Sequence, residues 1–95
     1  MINYKIKYSK EFKKSLKRVL KQGKSIDKLL DVVDKLSKKE KLDLKYKDHA
    51  LYSDKRFKGC RDCHIETDWI LIYKYLDDEI ILLLVNTGSH SNVLE

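Results

Sequence analysis

The sequence predicts an α+β domain spanning residues 1–95: an N-terminal strand, a helical hairpin, and then a three-stranded antiparallel meander, all in one sheet. Three observations predict it, namely an alternating N-terminal segment, two amphipathic stretches at helical spacing, and three later segments rich in strand-forming residues. With 95 residues and 42% hydrophobic content, the chain supports one modest core. We therefore expect the helices on one face of the sheet and an open, polar face opposite.

The first strand is predicted from a period-two pattern. Lysine and asparagine side chains fill one side of the N-terminal segment. Four apolar or aromatic residues share the other side: Ile2, Tyr4, Ile6 and Tyr8.

Two helices are predicted between residues 9 and 39, because two apolar stripes recur at helical spacing, each after a serine that can cap a helix. Ser9 precedes the first stripe and Ser25 the second, with Gly23 as a helix stop between them. The stripes consist of Phe12, Leu16, Val19 and Leu20, and of Ile26, Leu29, Leu30, Val33 and Leu36. The pair predicts a helical hairpin.

Residues 40–56 show no period, and a connection of this length in a small domain usually has a function. Three strands are predicted after it, over residues 57–65, 69–76 and 80–85. The alternation of side chains along residues 57–65 places His64 on the polar face of that strand. The strand over residues 80–85 is apolar on both faces and is therefore expected at the centre of the sheet.

The net charge of +6 is unevenly distributed. Residues 1–49 carry 16 basic and 7 acidic side chains, and residues 50–95 carry 5 and 8. The basic half predicts a polyanionic partner, either nucleic acid or an anionic membrane surface. No apolar run approaches the ~20 residues that span a bilayer, and no secretory signal is present. A cytoplasmic protein with reduced cysteines is therefore expected.

Three histidines are candidates for chemistry: His49, His64 and His90. Two imidazoles can divide the roles of general base and general acid, which RNA cleavage by a 2′-hydroxyl requires, while lysine or arginine stabilises charge on phosphorus. Three ordinary surface histidines are the alternative. Asp68, in the turn after His64, could orient an imidazole or bind a substrate group, or could only satisfy its own backbone.

Cys60-Arg61-Asp62-Cys63-His64 matches the attachment signature of c-type haem. We do not favour a haem, since no export signal is present and cysteines three apart in a strand point to opposite faces. A zinc site of both cysteines with His64 and His90 lacks a second close ligand pair. No metal or cofactor is therefore expected.

Four blocks, in this order, carry a specific signal: Tyr46-Lys47-Asp48-His49, Gly59-Cys60-Arg61-Asp62-Cys63-His64, Asp68-Trp69-Ile70-Leu71-Ile72-Tyr73-Lys74 and Thr87-Gly88-Ser89-His90. Together they resemble the YafQ-type branch of the RelE/ParE toxin superfamily over nearly the whole chain. The resemblance implies a RelE-like fold and a bacterial type II toxin. Such a toxin is a ribosome-dependent, metal-independent endoribonuclease that cleaves translated mRNA and is neutralised by a cognate antitoxin.

The resemblance also implies site residues and partners. The catalytic positions are matched by His49, His64, Asp68 and His90. RNA contacts are expected from Lys47, Arg61, Trp69, Lys74 and Asn86, although Trp69, like Tyr73 and Tyr75, could instead pack in the core. Asn86 stands where a relative has arginine, and Leu94 where the family has an aromatic residue.

The expected partners are an antitoxin with an acidic C-terminal segment, the ribosome and mRNA, with no membrane. Two other functions stay open at this point. One is a ParE-like toxin that binds DNA gyrase, and the other a non-catalytic ribosome-binding or RNA-binding module.

Overall fold

Five strands and three α-helices make up the part of the chain that this computed structural model describes, residues 3–52 and 55–94. The strands are β1 (Lys5–Tyr8), β2 (His49–Ala50), β3 (Arg61–Glu66), β4 (Trp69–Leu76) and β5 (Ile81–Gly88). The helices are α1 (Lys10–Lys21), α2 (Ile26–Ser37) and α3 (His90–Leu94). Short 3₁₀ turns occupy Leu44–Tyr46, Lys55–Phe57 and Asp77–Glu79. None of the described helices is long and apolar enough to cross a bilayer.

The strands form one sheet in the order β1-β5-β4-β3-β2. β3, β4 and β5 form an antiparallel meander, whereas β1 runs parallel to β5, with Lys5 opposite Ile81. The α+β class and the order of strand, helical hairpin and meander are therefore confirmed. Ile2 of the predicted first strand lies outside the described residues.

Capping by Ser9 fixes the start of α1. Its Oγ accepts a hydrogen bond from the Phe12 amide at 3.0 Å and donates to the Val85 carbonyl at 2.6 Å. The same serine thus begins the helix and attaches it to β5. Ser25 occupies the N-cap position of α2 but makes no side-chain capping bond, and Gly23 follows α1 with a φ of +86°.

The larger core lies between the helices and one face of the sheet. Its largest members include Phe12, Leu36, Trp69 and Tyr73. Trp69 is 1% exposed, and its Nε1 donates to Thr87 Oγ1 at 2.9 Å. The prediction that Trp69 contacts RNA is therefore wrong, because its ring and its N–H are both enclosed by protein.

The opposite face was expected to be open, and this is only partly right. A smaller cluster covers part of it, with Cys60, Ile70, Ile72 and Val93 buried. α3 supplies Val93, and the connection before β3 packs partly buried apolar side chains against the cluster. A strand face that looks polar in sequence is thereby enclosed, which determines the environment of the candidate site.

Candidate active site

His49 and Asp62 are paired residues of β2 and β3. His49 Nε2 lies 3.6 Å from Asp62 Oδ2, and His49 Nδ1 lies 2.7 Å from the Lys47 carbonyl oxygen. Both ring nitrogens thus face oxygen acceptors. A neutral imidazole has only one N–H, so both contacts are satisfied when the ring is an imidazolium or when Asp62 holds the second proton.

Asp62 is 1% exposed, and its Oδ1 is without a hydrogen-bond partner among the described residues. Burial raises the pKa of this carboxyl, while the charges of His49, His64 and His90 oppose the rise. All three histidines are therefore close enough for their charges to act on this buried carboxyl. The strand alternation placed Asp62 on the polar face with His64, but Asp62 was not among the predicted site residues.

His64 lies two residues after Asp62 on β3, on the same face of the strand, and is half-buried. Its cross-strand neighbour in β4 is Ile70. His64 therefore lies on the same face as Asp62 and stays partly accessible.

Asp68 contacts His90 through the main chain. Asp68 lies in the turn between β3 and β4, and its Oδ1 accepts a hydrogen bond from the His90 backbone amide at 3.2 Å. Ser89 Oγ accepts from the Asn92 amide at 3.2 Å in the same first turn. The aspartate therefore holds the start of α3, and with it the exposed His90 side chain, rather than orienting an imidazole directly.

Asp48, which precedes His49, is bound by two side chains of the sheet. Arg61 donates to it from Nε at 3.3 Å and from Nη2 at 3.2 Å, and the Tyr73 hydroxyl donates to Oδ1. This pairing raises the pKa of Arg61, and burial together with the Asp48 contact raises the pKa of Tyr73. Asp48 was not among the predicted site residues, although it belongs to the block Tyr46-Lys47-Asp48-His49. The guanidinium of Arg61, which was expected to contact RNA, is already paired within the protein.

The other expected RNA contacts differ in accessibility. Lys47 is exposed, with a left-handed φ of +49°, whereas Lys74 is half-buried and lies across Gly59. Asn86 is half-buried, and its Oδ1 accepts from Ser15 Oγ at 2.6 Å and from the Thr87 amide at 2.9 Å. Asn86 thus links β5 to α1 in addition to any contact with RNA.

Neither cysteine is placed for chemistry. Cys60 and Cys63 are both reduced and buried, and burial raises the pKa of each thiol. Among residues 3–52 and 55–94, no group of three or more histidine, cysteine, aspartate or glutamate side chains is arranged to hold a metal ion.

All of the candidate site residues lie within the part of the chain that matches known proteins. The sequence model of a family described as "Bacterial toxin of type II toxin-antitoxin system, YafQ" matches residues 4–95. The mRNA interferase toxin YafQ of Escherichia coli strain B / BL21-DE3 is 41% identical over 92 residues, which are 96% of each chain.

Two solved structures agree in fold with this chain. The E. coli DinJ-YafQ toxin-antitoxin complex matches with a TM-score of 0.84 and 38% identity, over 99% of this chain and 100% of that one. A metal-bound toxin from Helicobacter pylori matches with a TM-score of 0.89 and 38% identity, over 96% of this chain and 99% of the other.

Proposed function

This chain belongs to the YafQ family of toxins from bacterial type II toxin-antitoxin systems, and from that premise we propose that it is an mRNA interferase acting on the ribosome. It cuts translated mRNA in the cytoplasm, where ribosomes are found. The relatives named as mRNA interferases support the reaction class.

The observation that carries the proposal is the pairing of the exposed His49 with the buried Asp62, whose Oδ2 lies 3.6 Å from His49 Nε2. In the proposed reaction a 2′-hydroxyl of the message attacks the adjacent phosphorus, and the bond from phosphorus to the 5′-oxygen breaks. A base takes the 2′-hydroxyl proton and an acid gives a proton to the leaving 5′-oxygen. The products are a cyclic 2′,3′-phosphate and a 5′-hydroxyl.

We assign the acid to His49, because its two ring nitrogens face oxygen acceptors, the Lys47 carbonyl and the Asp62 carboxyl, which hold the ring in place. Its side chain is 52% exposed, so the proton can reach a bound substrate. His64 and His90 are the candidate bases, and Asp68 positions His90 through the start of α3. Every proton transfer in this scheme is made by a side chain of this protein, so the proposed reaction requires no metal ion.

The basic N-terminal half supplies the attraction to the ribosome. Residues 1–49 hold 16 of the 21 basic side chains, and most of the lysines on α1 are exposed. Binding to ribosomal RNA through these lysines weakens as salt rises, because each phosphate contact releases counterions.

The antitoxin is proposed to cover an apolar groove between α1, α2 and β1. Tyr8 and Leu30 line it and are 52% and 54% exposed, large fractions for apolar side chains. Exposed lysines beside the groove suit an acidic partner segment. The E. coli relative in its toxin-antitoxin complex supports a partner of this kind.

Induction of the wild-type chain beside His90→Ala, with mapping of mRNA 5′ ends, tests the proposal. We expect growth arrest and new 5′ ends within translated messages for the wild type. His90→Ala should cut at least about 100-fold more slowly, since general acid-base groups contribute about 10²–10⁴ in rate. Arrest by the wild type with intact messages and a DNA-damage response would overturn the proposal in favour of a toxin that binds gyrase.

A third outcome points to a non-catalytic module. In that case the protein would bind ribosomes in a salt-sensitive way, and none of the three histidine substitutions would alter its effect on growth. The two readouts, RNA ends and ribosome binding, therefore separate the three functions.

A further inference from the structure

A cavity opens beside His64, between α2, the 3₁₀ turn at Leu44–Tyr46 and the end of β3. Its volume is about 430 Å³, within the ~300–1,000 Å³ range of pockets that bind small molecules. His64 lines one wall, and Lys28, Lys45, Lys47 and Glu66 line others. The cavity therefore shares His64 with the candidate active site, whereas Asp62 and His90 do not line it.

The lysines of this cavity differ in what they already bind. Lys28 Nζ lies 2.6 Å from Glu66 Oε2, and Lys24 Nζ lies 3.3 Å from Glu66 Oε1. Lys45 and Lys47 form no ion pair with any residue in the described ranges 3–52 and 55–94, and both are exposed. Two cations at the mouth of the cavity are thus available to an incoming anion.

Glu66 is the candidate residue for base recognition inside the cavity. Its two lysine partners lower the pKa of the carboxyl, so it is ionised at neutral pH. An ionised carboxylate offers about four acceptor positions, and the two lysines occupy only part of that capacity. A carboxylate with acceptor capacity to spare can bind the exocyclic amino group of a base.

From these contacts we propose that the cavity binds the nucleotide next to the cleaved phosphodiester. Lys45 and Lys47 bind its outer phosphate, and Glu66 accepts a hydrogen bond from an amino group of its base. The inference rests on the proposed function, because it is His64 that places the scissile phosphate beside the cavity. It adds a position at which the protein itself selects the sequence that is cut.

The frequency of each base around the cut sites tests the proposal. Messages cut by the wild type, by Glu66→Gln and by a matched control, Glu79→Gln, are compared by mapping 5′ ends. Glu79 is exposed in the 3₁₀ turn between β4 and β5 and does not line the cavity. Glu66→Gln should shift base preference several-fold at one position beside the cut, and the control should leave all base frequencies unchanged.

Phosphate binding by the two lysines has a separate readout. Lys45→Gln with Lys47→Gln should lower kcat/KM on ribosome-bound message about tenfold. The slope of log kcat/KM against log salt should become shallower by about 0.7 for each phosphate of the single-stranded RNA that a lysine no longer neutralises. Thermal unfolding of each variant shows whether the fold is retained, and Glu66→Asp, which keeps the charge, should retain the wild-type preference.

Two failures are distinguishable. If the wild type cuts no message, the proposed function fails. If the wild type cuts and Glu66→Gln gives the same base frequencies at every position, the cavity is not a nucleotide subsite, and this inference alone is overturned.

Discussion

His49 and Asp62 face each other across β2 and β3, with the imidazole Nε2 3.6 Å from the carboxylate Oδ2. The carboxylate is 1% exposed, whereas the His49 side chain is about half exposed. The pair therefore connects a buried carboxyl with the exposed side chain to which we assign proton transfer. The charge state of Asp62 should affect both stability and cleavage.

Asp62→Asn should change how stability depends on pH. The pKa of Asp62 is raised above its ordinary value of 3.8, so the folded state holds this proton more tightly than the unfolded state does. The resulting stabilisation is complete below about pH 4 and is lost as pH rises through the folded pKa. Asparagine does not titrate, so the variant should gain stability relative to the wild type as pH rises above 4.

Urea unfolding at several pH values between 4 and 7 measures this difference. Each tenfold difference in proton affinity between folded and unfolded Asp62 contributes about 1.4 kcal/mol. Lowered pKa values elsewhere, as at Glu66, contribute equally to the unfolding free energy of the wild type and of the variant, so they cancel in the difference. A difference in unfolding free energy that stays constant with pH would contradict the prediction.

Asp48→Ala should destabilise the fold by about 1–3 kcal/mol, because it leaves the buried Tyr73 hydroxyl without its acceptor and Arg61 without its carboxylate. Asp48→Asn, which keeps an acceptor, should cost less. Urea denaturation of Asp48→Ala, Tyr73→Phe and the double variant gives the coupling between the two residues. Additive effects would show that the contact contributes nothing to stability.

Trp69 should be shielded from solvent and from RNA. It is the only tryptophan of the chain, so intrinsic fluorescence reports on it alone. Acrylamide should quench the folded protein only weakly, and an added oligoribonucleotide should leave the emission unchanged. Strong quenching that RNA relieves would restore the RNA contact that the burial of Trp69 contradicts.

Leu30→Glu should weaken antitoxin binding at least tenfold without lowering cleavage. The change places a charge in the apolar groove, where it would lose hydration and repel an acidic partner. Ile80→Glu is a matched control, since Ile80 is also partly exposed but lies in the turn between β4 and β5. Equal affinities for the two variants, measured by calorimetry with the purified antitoxin, would place the antitoxin elsewhere.

The spacing of apolar residues was sufficient to predict the strands and helices in which that spacing is regular. The predicted strand over residues 69–76 coincides with β4, and capping by Ser9 fixes α1 where the apolar stripe predicts it. β2 has two residues and α3 has five, too few for a period to be read, and both were missed. β5 extends beyond the predicted 80–85 to Gly88, because pairing with β4 continues past the apolar run.

The candidate site was predicted only in part, because a local sequence pattern does not show which polar residues become buried. Motif order identified the three histidines, but the role of Asp62 depends on its burial. That face is covered by α3, which is distant in sequence from Asp62, and by the connection just before β3, which shows no period of its own. No pattern within β3 distinguishes a buried aspartate from a solvated one, since alternation reports only which side of the strand a residue occupies.

The parallel pairing of β1 with β5 bears on how the protein folds. Ser9 and Val85 are joined by a hydrogen bond across 76 positions of the chain, whereas β3, β4 and β5 are connected by short turns. Contacts between near neighbours form sooner than contacts that close a long loop. We therefore expect the meander with His64 and Asp68 to gain amide protection first in pulse-labelled hydrogen exchange, and β1 to be protected last. The segment proposed for chemistry would then fold before the basic helices pack against it.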